Sequence, residues 1–279
     1  MTPLWMPDHP PRQGLGLMRL RDSDPDRDPV TLVHTALDCG ITLLDTAEMY
    51  GNEELVGRTI AGRRDEVTIC SKFGVRWGDS GRRDDWSVHA DAATVVASCE
   101  NSLRRLGVET IDLYYLHHRS EETPIEETVT AMAGLVAAGK IRAVGLSNVT
   151  VDDVRRAHAV HPVLAVQEQW SLASRDVEAM LPTLAELGVT LVAHSPTGHG
   201  VLHRDTNTPL GAALAEVART HMARPGQVAL AWVHHQGRLR DHPVVPLPGT
   251  TSVAHLQLNL AAADLQLTDA DLARLEAVS

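Results

Sequence analysis

Four residues of the chain carry side chains that suit one another chemically. The stretch 41–51 reads ITLLDTAEMYG, a short apolar strand that ends on Asp45, with Tyr50 five residues on across a short turn. A carboxylate at the end of an apolar strand is costly unless a partner neutralises it. Lys72 lies within the otherwise apolar run VTICSKF (67–73), and His117 follows the run IDLYYL (111–116). Lys72 is the natural partner for Asp45, and a cation beside Tyr50 is expected to lower the phenol's pKa from its ordinary value of ~10. A phenol so poised donates a proton to a carbonyl oxygen and accepts one from an alcohol. His117 would orient the carbonyl by hydrogen bonding and share in the proton transfer. The set has no nucleophile, no triad and no clear metal cage. It suits the protonation of an oxygen while another group delivers a hydride, which implies a nicotinamide cofactor.

These residues come from separate segments, so a fold must gather them. The sequence predicts strands at 14–18, 41–45, 67–73, 111–116, 143–146, 163–167, 189–193 and 244–247. Helices are expected at 31–38, 52–60, 92–106, 124–138, 151–159, 177–187, 210–221, 227–235, 253–262 and 268–278, with Asn52 capping the second. The strands are apolar along their length, as in a parallel sheet buried on both faces. Eight strand–helix repeats in about 250 residues predict an α/β fold, the (β/α)8 TIM barrel. One domain over 1–279 is expected, with 1–13 as a short lead. A doubly wound open sheet is the alternative, but it lacks the expected G-x-G-x-x-G after a first strand. Active sites of such barrels lie at the C-terminal ends of the strands. Those ends, in order, offer Asp45 with Tyr50, Ser71-Lys72, His117-His118, Ser147-Asn148, Gln167-Glu168-Gln169, His194-Ser195-Pro196 and Gly249-Thr250-Thr251-Ser252. Nearly every end is polar.

Composition narrows the function classes. Hydrophobic content of 43% and charged content of 22% are ordinary for a globular chain. The net charge of −11 argues against nucleic acid or an anionic membrane as the main partner, though a local cationic pocket can still bind an anionic small ligand. The start has neither a basic n-region nor an apolar h-region, and no segment approaches the ~20 apolar residues of a membrane span. Cys39, Cys70 and Cys99 read as reduced, buried thiols of a cytoplasmic protein. His158, His161, His234 and His235 fall on predicted helices or their ends and read as surface residues, and no metal site is expected. His118 is expected to point away from the site and Trp232 to pack in the core. Trp77 and Trp86, in the long loop 74–91, are candidate walls of a substrate pocket, as is Trp170.

Taken together, these segments resemble the aldo-keto reductase superfamily from about residue 14 onward. LLDTAEMYGNEELVG is similar to the family's first signature, SKFG carries Lys72, and DLYYLHH carries His117. The resemblance implies a catalytic tetrad of Asp45, Tyr50, Lys72 and His117. It implies that Ser147, Asn148 and Gln167 hydrogen-bond the nicotinamide carboxamide. His194-Ser195-Pro196 occupies the place of a segment whose aromatic ring stacks on the nicotinamide, so His194 is a departure. PLPGTTSVAHLQLN resembles the C-terminal cofactor signature, placing Gly249, Thr250, Thr251 and Ser252 near the adenosine phosphate, with His255 beyond and Asn259 near adenine. No Lys or Arg stands between Gly249 and Asn259, so the resemblance implies NADP(H) with only a modest preference over NAD(H). A cation from elsewhere, such as Arg204 or Arg224, would strengthen that preference. GLSNVT and the tail most resemble the bacterial branch that includes pyridoxal reductases. The expected activity is reversible reduction of a small aldehyde or ketone, with loops 74–91 and 197–209 setting the substrate. A cofactor-binding regulatory subunit with slow turnover is the competing expectation, and a metal-dependent hydrolase a third.

Overall fold

In the computed structural model, which describes residues 12–22, 27–80, 82, 84–203, 207–240 and 242–279, eight parallel strands form the predicted barrel. The lead with Trp5 lies outside the described residues apart from Arg12 and Gln13. The elements run β1 (Leu15–Gly16), α1 (Pro29–Asp38), β2 (Leu43–Asp45), α2 (Glu53–Ile60), β3 (Thr68–Phe73), β4 (Val75–Trp77), β5 (Trp86–Val88) and α3 (Ala92–Leu106). They continue with β6 (Leu113–Leu116), α4 (Ile125–Ala137), β7 (Val144–Ser147), α5 (Val151–Val160), β8 (Val163–Gln169) and α6 (Leu181–Leu187). The last are β9 (Thr190–His194), α7 (Pro209–Thr220), α8 (Pro225–Leu239), β10 (Val244–Leu247), α9 (Val253–Ala262) and α10 (Asp269–Glu276). The sheet order is β1-β2-β3-β6-β7-β8-β9-β10. Gly14 and Gly16 donate to the carbonyls of Pro246 and Pro248 at 2.9 and 3.1 Å, so β1 meets β10 and the sheet closes.

Strand pleating then places the site. Leu43, Cys70, Leu113, Tyr115, Ala143, Ala165, Val192, Val245 and Leu247 fill the barrel interior. Their neighbours Leu44, Ile69, Tyr114, Val144, Val166 and Leu191 face outward, against helix residues such as Val33, Val129 and Trp232. Side chains alternate along a strand, so every second residue faces the same way. Two residues above the interior leucine, cysteine, tyrosine, alanine and valine positions stand Asp45, Lys72, His117, Gln167 and His194. The interior thus changes from apolar to polar toward the strand C-termini. Gly145 makes the packing at mid-barrel workable, because a Cβ there would lie 2.4 Å from the Tyr115 ring. Gly145→Ala is expected to cost about 1–3 kcal/mol through overpacking. A melting curve unchanged by that substitution would contradict this account of the interior.

Several expectations are corrected. Loop 74–91 contains a hairpin, β4–β5, in which Trp77 pairs with Trp86. The helix expected at 177–187 is a 3-10 turn (176–179) followed by α6, because Pro182 lacks an N–H and suits only a first helical turn. Asn52 makes no side-chain cap; its side chain is buried and bonds elsewhere. His234 is buried rather than exposed, with its Nε2 3.2 Å from Gln13 Oε1. Of the three free cysteines, Cys70 and Cys99 are buried but Cys39, at the end of α1, is exposed.

Candidate active site

Asp45, Tyr50, Lys72 and His117 meet at the strand C-termini. Lys72, 1% exposed, donates from Nζ to Asp45 Oδ1 and, at 2.9 Å, to the Thr46 carbonyl. The other Asp45 oxygen accepts from Gln167 Nε2 at 2.9 Å. A buried carboxylate is tolerable only with such saturation of its lone pairs. Tyr50 ends a 3-10 turn (48–50) that Gly51 terminates at φ +66°, a conformation that L side chains seldom adopt. The turn sets the phenol ring with Lys72 Nζ 5.1 Å from its centroid and the His117 ring edge-on at 5.7 Å.

The electrostatics differ in one respect from the sequence expectation. Burial raises the Tyr50 pKa above its ordinary value, and the opposing charge of Lys72 does not overcome it. The phenol therefore carries its proton at neutral pH. Burial also disfavours the Lys72 ammonium, but the groups beside it, Asp45 foremost and then Tyr50, together more than compensate, and its pKa stands above that of a free lysine. His117 is held well below the ordinary histidine range by burial and by the charge of Lys72, so its ring is neutral. Its Nδ1 is buried and finds no hydrogen-bond partner among the described residues. A buried polar atom without a partner is a group that a bound ligand can satisfy.

Around this centre the remaining strand-end residues form a connected rim. Ser147 Oγ donates to the Gln167 carbonyl at 2.7 Å, and Asn148 Nδ2 donates to the His117 carbonyl at 2.9 Å and to Ser147 Oγ at 3.1 Å. Asn148 and Ser195 both adopt positive φ, 53° and 50°, as strained non-glycine residues often do at functional sites. His194 Nδ1 lies 3.1 Å from Ser195 Oγ, which lies 3.2 Å from His199 Nδ1. Burial, with Lys72 and His199 nearby, pushes His194 down to about 4, so this ring too is neutral and can offer an uncharged face. Pro196, buried, follows in the same loop. Gly249 to Ser252 lead into α9, whose first turn holds no acid and whose start has no side-chain cap. Its amide dipoles therefore remain available to an anion. His255 is exposed one turn in, and Asn259 half-buried beyond it.

The pocket tryptophans divide. Trp77 Nε1 donates to the Met49 carbonyl at 3.1 Å, tying the hairpin to the Tyr50 turn. Trp86 lies 5.0 Å from the ring of His118, so His118 supports the hairpin rather than pointing away. Both tryptophans remain partly exposed beside the site. Trp170 is corrected: it is fully buried, edge-on to Trp232 at 5.8 Å, with Nε1 donating to Glu178. The cause is parity, since Gln167 faces the interior and a residue three further along faces out. Arg224 stands at the start of α8 with its amide on Gln227, and Arg204 lies outside the described residues.

Asn52, Glu53 and Glu168 support the site in ways the sequence did not suggest. Asn52 accepts from Thr46 Oγ1 at 2.7 Å and donates to the carbonyl of Leu17 at 2.8 Å, anchoring the turn that carries Tyr50. Glu53, buried, accepts from Ser71 Oγ at 2.5 Å and from Arg105 Nε at 2.7 Å, bracing the strand of Lys72. Glu168 accepts from the Val149 amide at 2.9 Å and so holds the Asn148 turn; burial pushes it up to about 7. A raised carboxyl pKa favours the folded state below its unfolded value and loses that contribution as pH rises toward 7. Relative to Glu168→Gln, wild-type stability should therefore fall between about pH 4.5 and 7, by up to ~3 kcal/mol. Parallel melting curves across that window would show the carboxyl to be unperturbed.

Residues 13–279 match the aldo/keto reductase family model, and the chain belongs to that family. A Klebsiella pneumoniae aldo/keto reductase, solved in complex with NADP and acetate, is 33% identical over 96% of this chain and 90% of that one, with a TM-score of 0.81. A glycerol dehydrogenase from Gluconobacter oxydans shares 27% identity over 98% of this chain and 92% of that one, at a TM-score of 0.85. A Bacillus halodurans aldo-keto reductase in its holo form shares 26% identity, 96% and 92% coverage and a TM-score of 0.82.

Proposed function

We propose that this chain is an NADP(H)-dependent reductase that converts an aldehyde or ketone to an alcohol, reversibly, with Tyr50 as the proton donor. The observation that carries the reading is the convergence of Tyr50, a buried Lys72–Asp45 pair and a neutral His117 with an open buried nitrogen. The residues fit the cofactor: a neutral His194 face, the Ser147–Asn148–Gln167 rim and an acid-free helix start that suits a phosphate. A bound reduced nicotinamide supplies the hydride for the carbonyl carbon.

The chain's own residues do the rest. His117 donates a hydrogen bond to the carbonyl oxygen and holds it beside Tyr50. The Tyr50 O–H passes its proton to that oxygen. The resulting phenolate is stabilised by the Lys72 charge, and Asp45 keeps that charge in place. In the reverse direction the phenolate takes the alcohol proton. Trp77 and Trp86, joined to the Tyr50 turn and to His118, wall the substrate side. Free thiols at Cys70 and Cys99 support a cytoplasmic location.

The test is NADPH oxidation with a generic aromatic aldehyde and with pyridoxal, for wild type and Tyr50→Phe. Turnover in wild type and its loss in the variant support the reading. Tight NADPH binding with no turnover across a broad carbonyl panel would instead support a regulatory subunit.

A further inference from the structure

The cofactor-signature loop has no cation of its own, yet the fold brings one to it. Barrel closure sets β1 beside β10, so the loops that follow those two strands are neighbours at the same end. One leads into α1 and the other into α9, and these helices pack against each other. Arg27, just before α1, donates from its guanidinium to Thr251 Oγ1 at 2.6 Å. Loops after the last strands of such barrels, with a helix N-terminus, commonly form a phosphate site. Here that place combines the uncapped start of α9, the hydroxyls of Thr250, Thr251 and Ser252, and one guanidinium. Asp28, which follows it, caps α1 through the amides of Val30 and Thr31 and the Thr31 hydroxyl.

We propose that Arg27 is the residue that discriminates NADPH from NADH, by pairing with the 2′-phosphate above Thr251. The inference rests on the dinucleotide reading given above. A guanidinium matches a phosphate dianion bidentately, whereas a ribose hydroxyl offers it no charge. The preference for NADPH is then larger than the tail sequence alone implies, and it is conferred across the barrel seam rather than from within the signature.

The experiment is equilibrium titration of the full chain with NADPH, NADH and 2′,5′-ADP, by quenching of tryptophan fluorescence or calorimetry. It compares wild type with Arg27→Ala, Arg27→Gln and Arg27→Lys, each checked by thermal melting. Wild type is expected to bind NADPH at least about tenfold more tightly than NADH. Arg27→Ala and Arg27→Gln should bring the two within about twofold, weaken 2′,5′-ADP in parallel and leave NADH affinity as it was, while Arg27→Lys keeps part of the preference. A wild-type preference that survives Arg27→Ala and Arg27→Gln overturns the assignment. Equal wild-type affinities for NADPH and NADH also overturn it, while leaving the dinucleotide reading intact. If wild type binds neither dinucleotide, the cofactor reading itself fails and the assignment falls with it.

Discussion

Tyr50→Phe should lower kcat for carbonyl reduction by about 10²–10⁴-fold, the usual contribution of a positioned general acid. The substitution removes one oxygen from a ring that the turn at 48–50 and Gly51 hold in place. Lys72 and Asp45 remain paired beneath it. NADPH affinity and melting temperature are therefore expected to stay near wild type, separating chemistry from folding. Because burial raises the phenol's pKa, the donating form persists through neutral pH and is depleted only in alkaline solution. Reduction by wild type should fall at high pH as the phenol loses its proton, whereas the residual rate of the variant should lack that alkaline limb. Similar kcat values for the two proteins would remove Tyr50 from the mechanism.

The second large effect concerns the pair beneath it. Lys72→Met leaves Asp45, 3% exposed, with Gln167 as its remaining side-chain donor. Breaking a buried pair from one side costs about 3–5 kcal/mol, because an uncompensated charge stays inside. For a chain of this size that corresponds to a loss on the order of 10 °C in melting temperature. Adding Asp45→Asn to Lys72→Met removes the stranded charge, so the double variant should be more stable than Lys72→Met alone. Thermal melts of wild type, Lys72→Met and the double variant check this. A double variant less stable than Lys72→Met would show that the pair's hydrogen bonds, not its charge balance, dominate. Both Lys72 variants should also turn over slowly, since the phenolate left by proton transfer would have no cation beside it.

The parts legible in the sequence are those that repeat or that violate local expectation. Uniformly apolar strands alternating with helices imply the barrel, and polar residues ending such strands imply where its site lies. Asp45 and Lys72 were conspicuous because each is an isolated charge in an apolar run. What the letters did not show depends on which face a side chain takes or on loop neighbours distant in the chain. Trp170 reads as a pocket wall by its nearness to the strand end, whereas its parity relative to Gln167 sends it into the helical shell. Asn52 has the identity of a cap but is drawn inward by Thr46 and the Leu17 carbonyl. The sign of the Tyr50 shift follows from how deeply the ring is buried, which residue identity alone does not give. Arg27 and Thr251 are 224 residues apart and meet only because the barrel closes. The closest available signal was that the first and last strands of a closed barrel must be neighbours.

The most direct test of the account is transfer of an isotopic label. Wild-type protein would be given NADPH deuterated at the transferring position of the nicotinamide ring, together with an aromatic aldehyde, and the product examined by mass spectrometry and NMR. The account predicts an alcohol carrying one deuterium on its carbinol carbon, formed at a rate that collapses in Tyr50→Phe. An unlabelled alcohol, or no alcohol at all from any carbonyl compound offered with NADPH bound, would contradict it.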